Sequence, residues 1–172
     1  MTSVLFVCTA NICRSAYAEM VATYRAPGLS VGSAGTHGVP DLPLSPEMAA
    51  ELDRRGIPHE GFRSRPLTRE LIDDADLVLT AEAAHRAFVL QERPVAVRRT
   101  FSLGQFASAL DDVPDGVAGA DLLKEVRRAR ATARRDEDVA DPYGRGPEAA
   151  ERAAEHLDRL LDRVLDRLVS AE

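Results

Sequence analysis

Two side chains near the start of the chain have the types and spacing for oxyanion chemistry. Cys8 ends a short apolar run, Val4-Leu-Phe-Val, and Arg14 follows six positions later at the start of a helix-like segment. A thiolate and a guanidinium placed in this way face one bound oxyanion. The intervening loop from Thr9 to Ser15, with Ala10, Asn11, Ile12 and Cys13, is placed to turn several backbone N–H groups toward a phosphate monoester dianion at a helix N-terminus. Those donors are otherwise unpaired, and the helix dipole favours negative charge there. Beneath that field Cys8 is expected to be a thiolate at neutral pH. Arg14 supplies the planar fork that matches two phosphate oxygens and holds the charge that builds as phosphorus is attacked. Asn11 tolerates left-handed backbone and its amide can brace the loop. Ser15 can donate to the thiolate or cap the helix. The alternative for Cys8, a buried strand cysteine, would be the better reading of a lone Cys. The combination of strand end, Cys-x5-Arg-Ser and helix start is far more specific.

The elements that hold this pair follow from periodicity. Val4 to Val7 is a near-continuous apolar run, as in a strand covered on both faces of a parallel sheet. Tyr17, Met20, Val21 and Tyr24 recur at helical spacing, and Ala26-Pro27-Gly28 stops that helix. Leu29 to Ala34 reads as a second strand, followed by a Pro-rich surface loop from Gly35. Ser45 caps a helix to about Arg55, with Pro46 in its first turn. Thr68 caps a short helix through Ile72, Ala75 to Thr80 reads as a buried strand, and Glu82 to Gln91 as a helix. Arg98 to Phe101 is expected as the last strand, and Ser102 caps a helical turn to Leu110. Strands alternating with helices imply a parallel α/β sheet with right-handed crossovers and helices on both faces. Asp121 to Arg135 reads as a charged helix whose packing the sequence leaves open. Pro147 to about Val169 is an amphipathic helix carrying Leu157, Leu160, Leu161, Val164, Leu165 and Leu168 on one face.

At 172 residues the chain fits one domain, 1–172, with about 70% of its unfolded surface buried and no need of a disulfide or metal to fold. The formal charge of −6 argues against nucleic acid or an anionic membrane as the main partner. No apolar stretch approaches a transmembrane length and no signal peptide is evident, so a cytoplasmic protein is expected. Cys8 and Cys13 are the only cysteines, too few ligands for a structural zinc site. The four histidines show no metal spacing. The arginine run at 127, 128, 130, 134 and 135 reads as a solvated face diluted by acidic neighbours.

The segment Val7-Cys8-Thr-Ala-Asn-Ile-Cys-Arg-Ser15 resembles the phosphate loop of the low molecular weight protein tyrosine phosphatase family, and Asp141-Pro-Tyr143-Gly resembles that family's late Asp-Pro-Tyr segment. Ser33-Ala-Gly-Thr36, Gly56-Ile57, Arg63-Ser-Arg65 and Ala75-Asp-Leu-Val-Leu79 fall in the family's order. The resemblance implies a three-layer domain with a four-stranded parallel sheet and a two-step, metal-free and cofactor-free mechanism. In it Cys8 attacks phosphorus, Arg14 binds the phosphoryl group, and Asp141 protonates the leaving oxygen and later activates water. On its own residues Asp141 could equally enter the closing helix, since it precedes Pro142. Tyr143 is placed to flank the substrate, or else to pack. Three departures stand out. Ala10 takes the place of a usual glycine, Phe62 that of a common histidine, and His37, Val39 and Leu42 stand where an aromatic often walls the cleft.

The expected activity is therefore cysteine-dependent hydrolysis of a phosphate monoester, foremost phosphotyrosine in a protein. His37 joins Thr9, Ala10, Asn11, Ile12, Cys13, Ser15 and Tyr143 as a candidate substrate contact. Alternatives are a small-molecule or sugar phosphatase, an arsenate reductase, a phosphocarrier, or a degenerate phosphate-binding module. The sequence does not give the oligomeric state.

Overall fold

The computed structural model describes residues 1–129 and 137–169. A strand covered by helices on both faces has no side left to solvate, and β1 (Ser3–Cys8) accordingly buries every residue from Val4 to Cys8. It runs parallel between β2 (Ser30–Gly35) and β3 (Leu77–Thr80), and β4 (Thr100–Ser102) adds to the far side of β3. The strand order is β2-β1-β3-β4, with β1 internal. Alternate β1 residues feed two cores: Val4 and Phe6 face one layer, Leu5 and Val7 the other.

The larger layer holds α1 (Arg14–Arg25), α2 (Pro46–Arg54), α5 (Leu103–Ala109), α6 (Gly119–Ala129) and α7 (Pro147–Val169). The smaller gathers Ile72 of α3 (Arg69–Asp74) and Val89 of α4 (Ala83–Glu92). α7 is the keystone of its layer and packs on α1, α2, α5 and α6. Its expected apolar face is buried at Leu157, Leu161, Val164, Leu165 and Leu168, while Leu160 is only partly covered. Among the described residues no helix is long and apolar enough to cross a membrane.

The cap residues act as expected. The Ser45 hydroxyl accepts from Met48 N and that of Thr68 from Leu71 N. Ser102 and Gln105 form a reciprocal capping box at the start of α5. Two expectations are corrected. The last strand starts at Thr100, because Pro94–Arg98 winds into a 3-10 turn that Thr100 Oγ1 fastens by donating to Ala96 O. Tyr24 lies on the solvent side of α1, 58% exposed, since the buried stripe passes through Tyr17 and Val21. The charged α6 has a packing face, made by Leu122, Leu123 and Val126. The part of that expected helix beyond Ala129 lies outside the described residues.

Candidate active site

Cys8 is the last residue of β1, and the chain turns sharply after it. The turn needs a residue with positive φ, and Asn11 takes it at 59°. Gly35, at the end of β2, lets the neighbouring strand approach this turn. A Cβ there would stand 2.6 Å from Thr9 O and 2.9 Å from Ala10 C. The close approach allows Thr36 N to donate to Cys8 O and His37 N to Thr9 O. Ser45 N closes the other side by donating to Ile12 O. Cys13, the residue before α1, makes no side-chain cap bond, so the first-turn N–H groups of α1 are not taken by a cap.

A directed hydrogen-bond chain ends on the sulfur. Asn11 Oδ1 accepts from Arg65 N at 2.9 Å, which fixes the orientation of the amide. Its Nδ2 donates to Ser15 Oγ at 2.9 Å and to Ser33 Oγ at 2.7 Å. Ser33 in turn donates to Glu19, whose carboxyl burial pushes above its usual range. Ser15 Oγ, which accepts from Asn11, lies 3.0 Å from Cys8 Sγ and has a proton of its own to give it. That donation to sulfur is the polarity that a nucleophilic thiolate requires. Of the two roles open to Ser15, the structure gives the contact with sulfur. Cys13 is different: its Sγ donates to Ser45 Oγ at 3.3 Å, and burial pushes its thiol up to about 11.

Arg14 is 2% exposed and is held from behind. Nη1 donates to Val139 O at 2.9 Å and pairs with Glu82, the residue that follows the end of β3 by two. Nη2 lies 3.4 Å from Asp141 Oδ2, and Nε is buried without a hydrogen-bond partner among the described residues. A fork fastened at one tip and unfilled along its Nε edge is prepared for an oxyanion. Asp141 reaches this position because the segment before it docks on the β3–α4 junction. Val139 N donates to Ala81 O at 3.0 Å, and Asp138 Oδ1 accepts from Ala83 N at 2.8 Å.

Cys8, Thr9, Ala10, Ile12, Cys13, Arg14, Asp141 and Tyr143 together line a cavity of about 120 Å³. Among the described residues Asp141 is its only carboxylate, and Tyr143, 66% exposed, stands at its edge. Asn11 and Ser15 are buried behind the loop. His37 is not among the lining residues: its ring leans on Phe88, 5.6 Å between centroids. Phe62, in the place of a family histidine, is buried in the larger core.

Sequence reasoning missed Glu82 and His85. His85, 6% exposed, bonds Thr9 Oγ1 through Nε2 at 2.8 Å, while its Nδ1 is buried without a partner. Burial, with the Arg14 cation nearby, holds its imidazole down to about 4, so it is neutral. The available signal was positional, since both follow β3 at the carboxyl end of a parallel sheet, where such folds build their sites.

Residues 3–129 match the family described as low molecular weight phosphotyrosine protein phosphatase. The chain is 37% identical over 113 residues to the low molecular weight protein-tyrosine-phosphatase Etp of Escherichia coli K12, covering 66% of this chain and 76% of that one. It is 32% identical over 152 residues to a protein-arginine-phosphatase of Geobacillus stearothermophilus, covering 88% and 84%. The solved YwlE arginine phosphatase of that organism superposes with a TM-score of 0.76 at 30% identity over 96% of this chain and 92% of the other.

Proposed function

The chain belongs to the low molecular weight phosphotyrosine protein phosphatase family, and on that footing we propose that it hydrolyses phosphotyrosine in proteins with Cys8, Arg14 and Asp141 as its catalytic residues. The observation that carries this reading is the meeting of Arg14 and Asp141, 3.4 Å apart, in one cavity with Cys8. In the first step the Cys8 thiolate attacks phosphorus while the Arg14 fork holds two equatorial oxygens. The P–O bond breaks and the leaving oxygen takes the Asp141 proton, which gives phosphocysteine and a free phenol. In the second step the Asp141 carboxylate takes a proton from water, which attacks phosphorus and releases phosphate and the thiolate. Backbone N–H groups of the loop and the α1 N-terminus hold the added negative charge throughout.

The apolar lining made by Ala10, Ile12 and Tyr143 favours an aryl phosphate. A second reading, hydrolysis of phosphoarginine, draws support from the 88% of this chain that the arginine phosphatase relative covers. A guanidinium leaving group would have Asp141 as the carboxylate to meet among the described lining residues. A turnover panel of phosphotyrosine, phosphoarginine, phosphoserine and sugar phosphates decides between the two. Phosphotyrosine is expected to have the highest kcat/KM, and a preference for phosphoarginine overturns the assignment. The proposed compartment is the cytoplasm, where a nucleophilic thiol stays reduced.

A further inference from the structure

The arginines of α6 do not simply face solvent. Arg127 and Arg128 meet Arg86 of α4 and Arg98 of the 3-10 turn around a cavity of about 570 Å³ beside the outer edge of β4, lined also by Val97, Phe101 and Gln105. Among the described residues no carboxylate lines it, although the chain as a whole carries a net charge of −6. We propose that this cavity is a second anion site, separate from the catalytic one, for a small ligand bearing several phosphate groups.

Two features distinguish it from a scatter of surface cations. First, two of the guanidinium groups are already oriented. Arg86 Nε donates to Thr100 O at 2.9 Å and Arg127 Nε to Arg98 O at 2.8 Å, so each is pinned at Nε with its terminal nitrogens free of any carboxylate among the described residues. Side chains fixed in advance lose little entropy when they bind. Second, Arg86 is half-buried without a counter-charge among the described residues. Arg55, Arg93 and Arg99, likewise partly buried, each hold an aspartate, Arg167 is held by the Pro114 and Val117 carbonyls, and Arg128 alone at this cavity pairs with an acid, Glu125. Burial with nothing to offset it holds the Arg86 guanidinium below its usual range. An anion would restore the missing partner. Forked donors converging from three elements suit phosphate oxygens. The volume falls within the roughly 300–1,000 Å³ typical of small-molecule sites.

The test is calorimetric titration of inorganic tripolyphosphate into the full chain, with and without orthovanadate to occupy the catalytic loop. One vanadate-resistant site per chain is expected. Its affinity should fall about tenfold or more in Arg86→Gln and in Arg98→Gln, the usual effect of losing one charge-assisted bond. Arg98 makes no side-chain bond among the described residues, so its variant tests the site with no packing to lose. Absence of any vanadate-resistant binding overturns the proposal, as does affinity unchanged in both variants. ATP binding more tightly than tripolyphosphate would identify a nucleotide as the natural source, and equal affinities free polyphosphate. Tighter binding of an acidic peptide than of either overturns the small-ligand assignment.

Discussion

The two halves of the catalytic cavity are built to different standards. On one side, Cys8 and Arg14 are each 2% exposed and their loop is fastened by β2, by the cap of α2, by Arg65 and by His85. On the other side, the Asp141 side chain is 46% exposed, and its carboxylate meets only Tyr143 N, at 3.2 Å, and Arg14 among the described residues. The backbone at 138–139 is tied down, yet Asp141 and Tyr143 project from the tie. The difference fits the chemistry proposed for each half. Attack in line on phosphorus and charge stabilisation demand fixed geometry. Proton transfer needs an acid within reach of leaving groups of varied shape, and that tolerates a looser mount.

Substitutions can break this contrast, beginning with the largest effect. Cys8→Ser should abolish hydrolysis of an aryl phosphate while circular dichroism and melting stay those of the parent. Measurable turnover in that variant would remove Cys8 from the mechanism. Asp141→Asn should lower kcat by about a hundred- to ten-thousandfold with KM little changed, and an unaltered rate would leave the loose half with no chemical part. Asn11→Ala leaves Ser15, Ser33 and Arg65 N without their shared partner, so chemical denaturation should report a loss of about 1–3 kcal/mol. A loss as small as that of a surface substitution would mean that the loop does not depend on this brace.

The effect furthest from the chemistry is the response to acid. Burial, with Arg14 and His37 acting the same way and Glu82 and Asp141 opposing, holds His85 neutral, with its pKa down at about 4 against 6.5 unfolded. Between those values the unfolded chain binds more protons than the folded one, so stability rises with pH across this window. Acidification from pH 7 to 4 should therefore cost about 3 kcal/mol through this group alone. A His85→Gln variant should show a shallower fall in melting temperature over the same range, and an identical fall would discharge His85 from that role.

The tight half was the legible one, for a physical reason. Cys8, Asn11, Arg14 and Ser15 act within one turn of chain, so their spacing encodes their geometry. The strands and caps are local too, which is why β1, α2, α5 and α7 fall within a residue or two of where periodicity and capping place them. The loose half depends on contacts between distant segments. Asp141 meets Arg14 only because Val139 pairs with Ala81, and nothing in Asp141-Pro-Tyr143 states that pairing. Glu82 and His85 were illegible for the same reason: a glutamate and a histidine at a helix start fit any surface until the sheet sets them under the loop. The start of β4 was misjudged because Arg98-Arg99-Thr100 carries no turn signal of its own, and the 3-10 turn begins at Pro94.

The central place of β1 has a consequence for how the molecule yields to heat. Cys8 ends a strand that is paired on both sides as far as Val7 and continues against β2 to Cys8 itself, so the amides of this strand are expected to exchange with solvent only when the sheet itself separates. The local opening free energy of the nucleophile therefore approaches that of global unfolding, while the 141–145 segment can open alone at far smaller cost. On warming, hydrogen exchange should reach the acid side early and the nucleophile last. The protein would keep its reactive sulfur correctly set until the temperature at which it ceases to be folded at all.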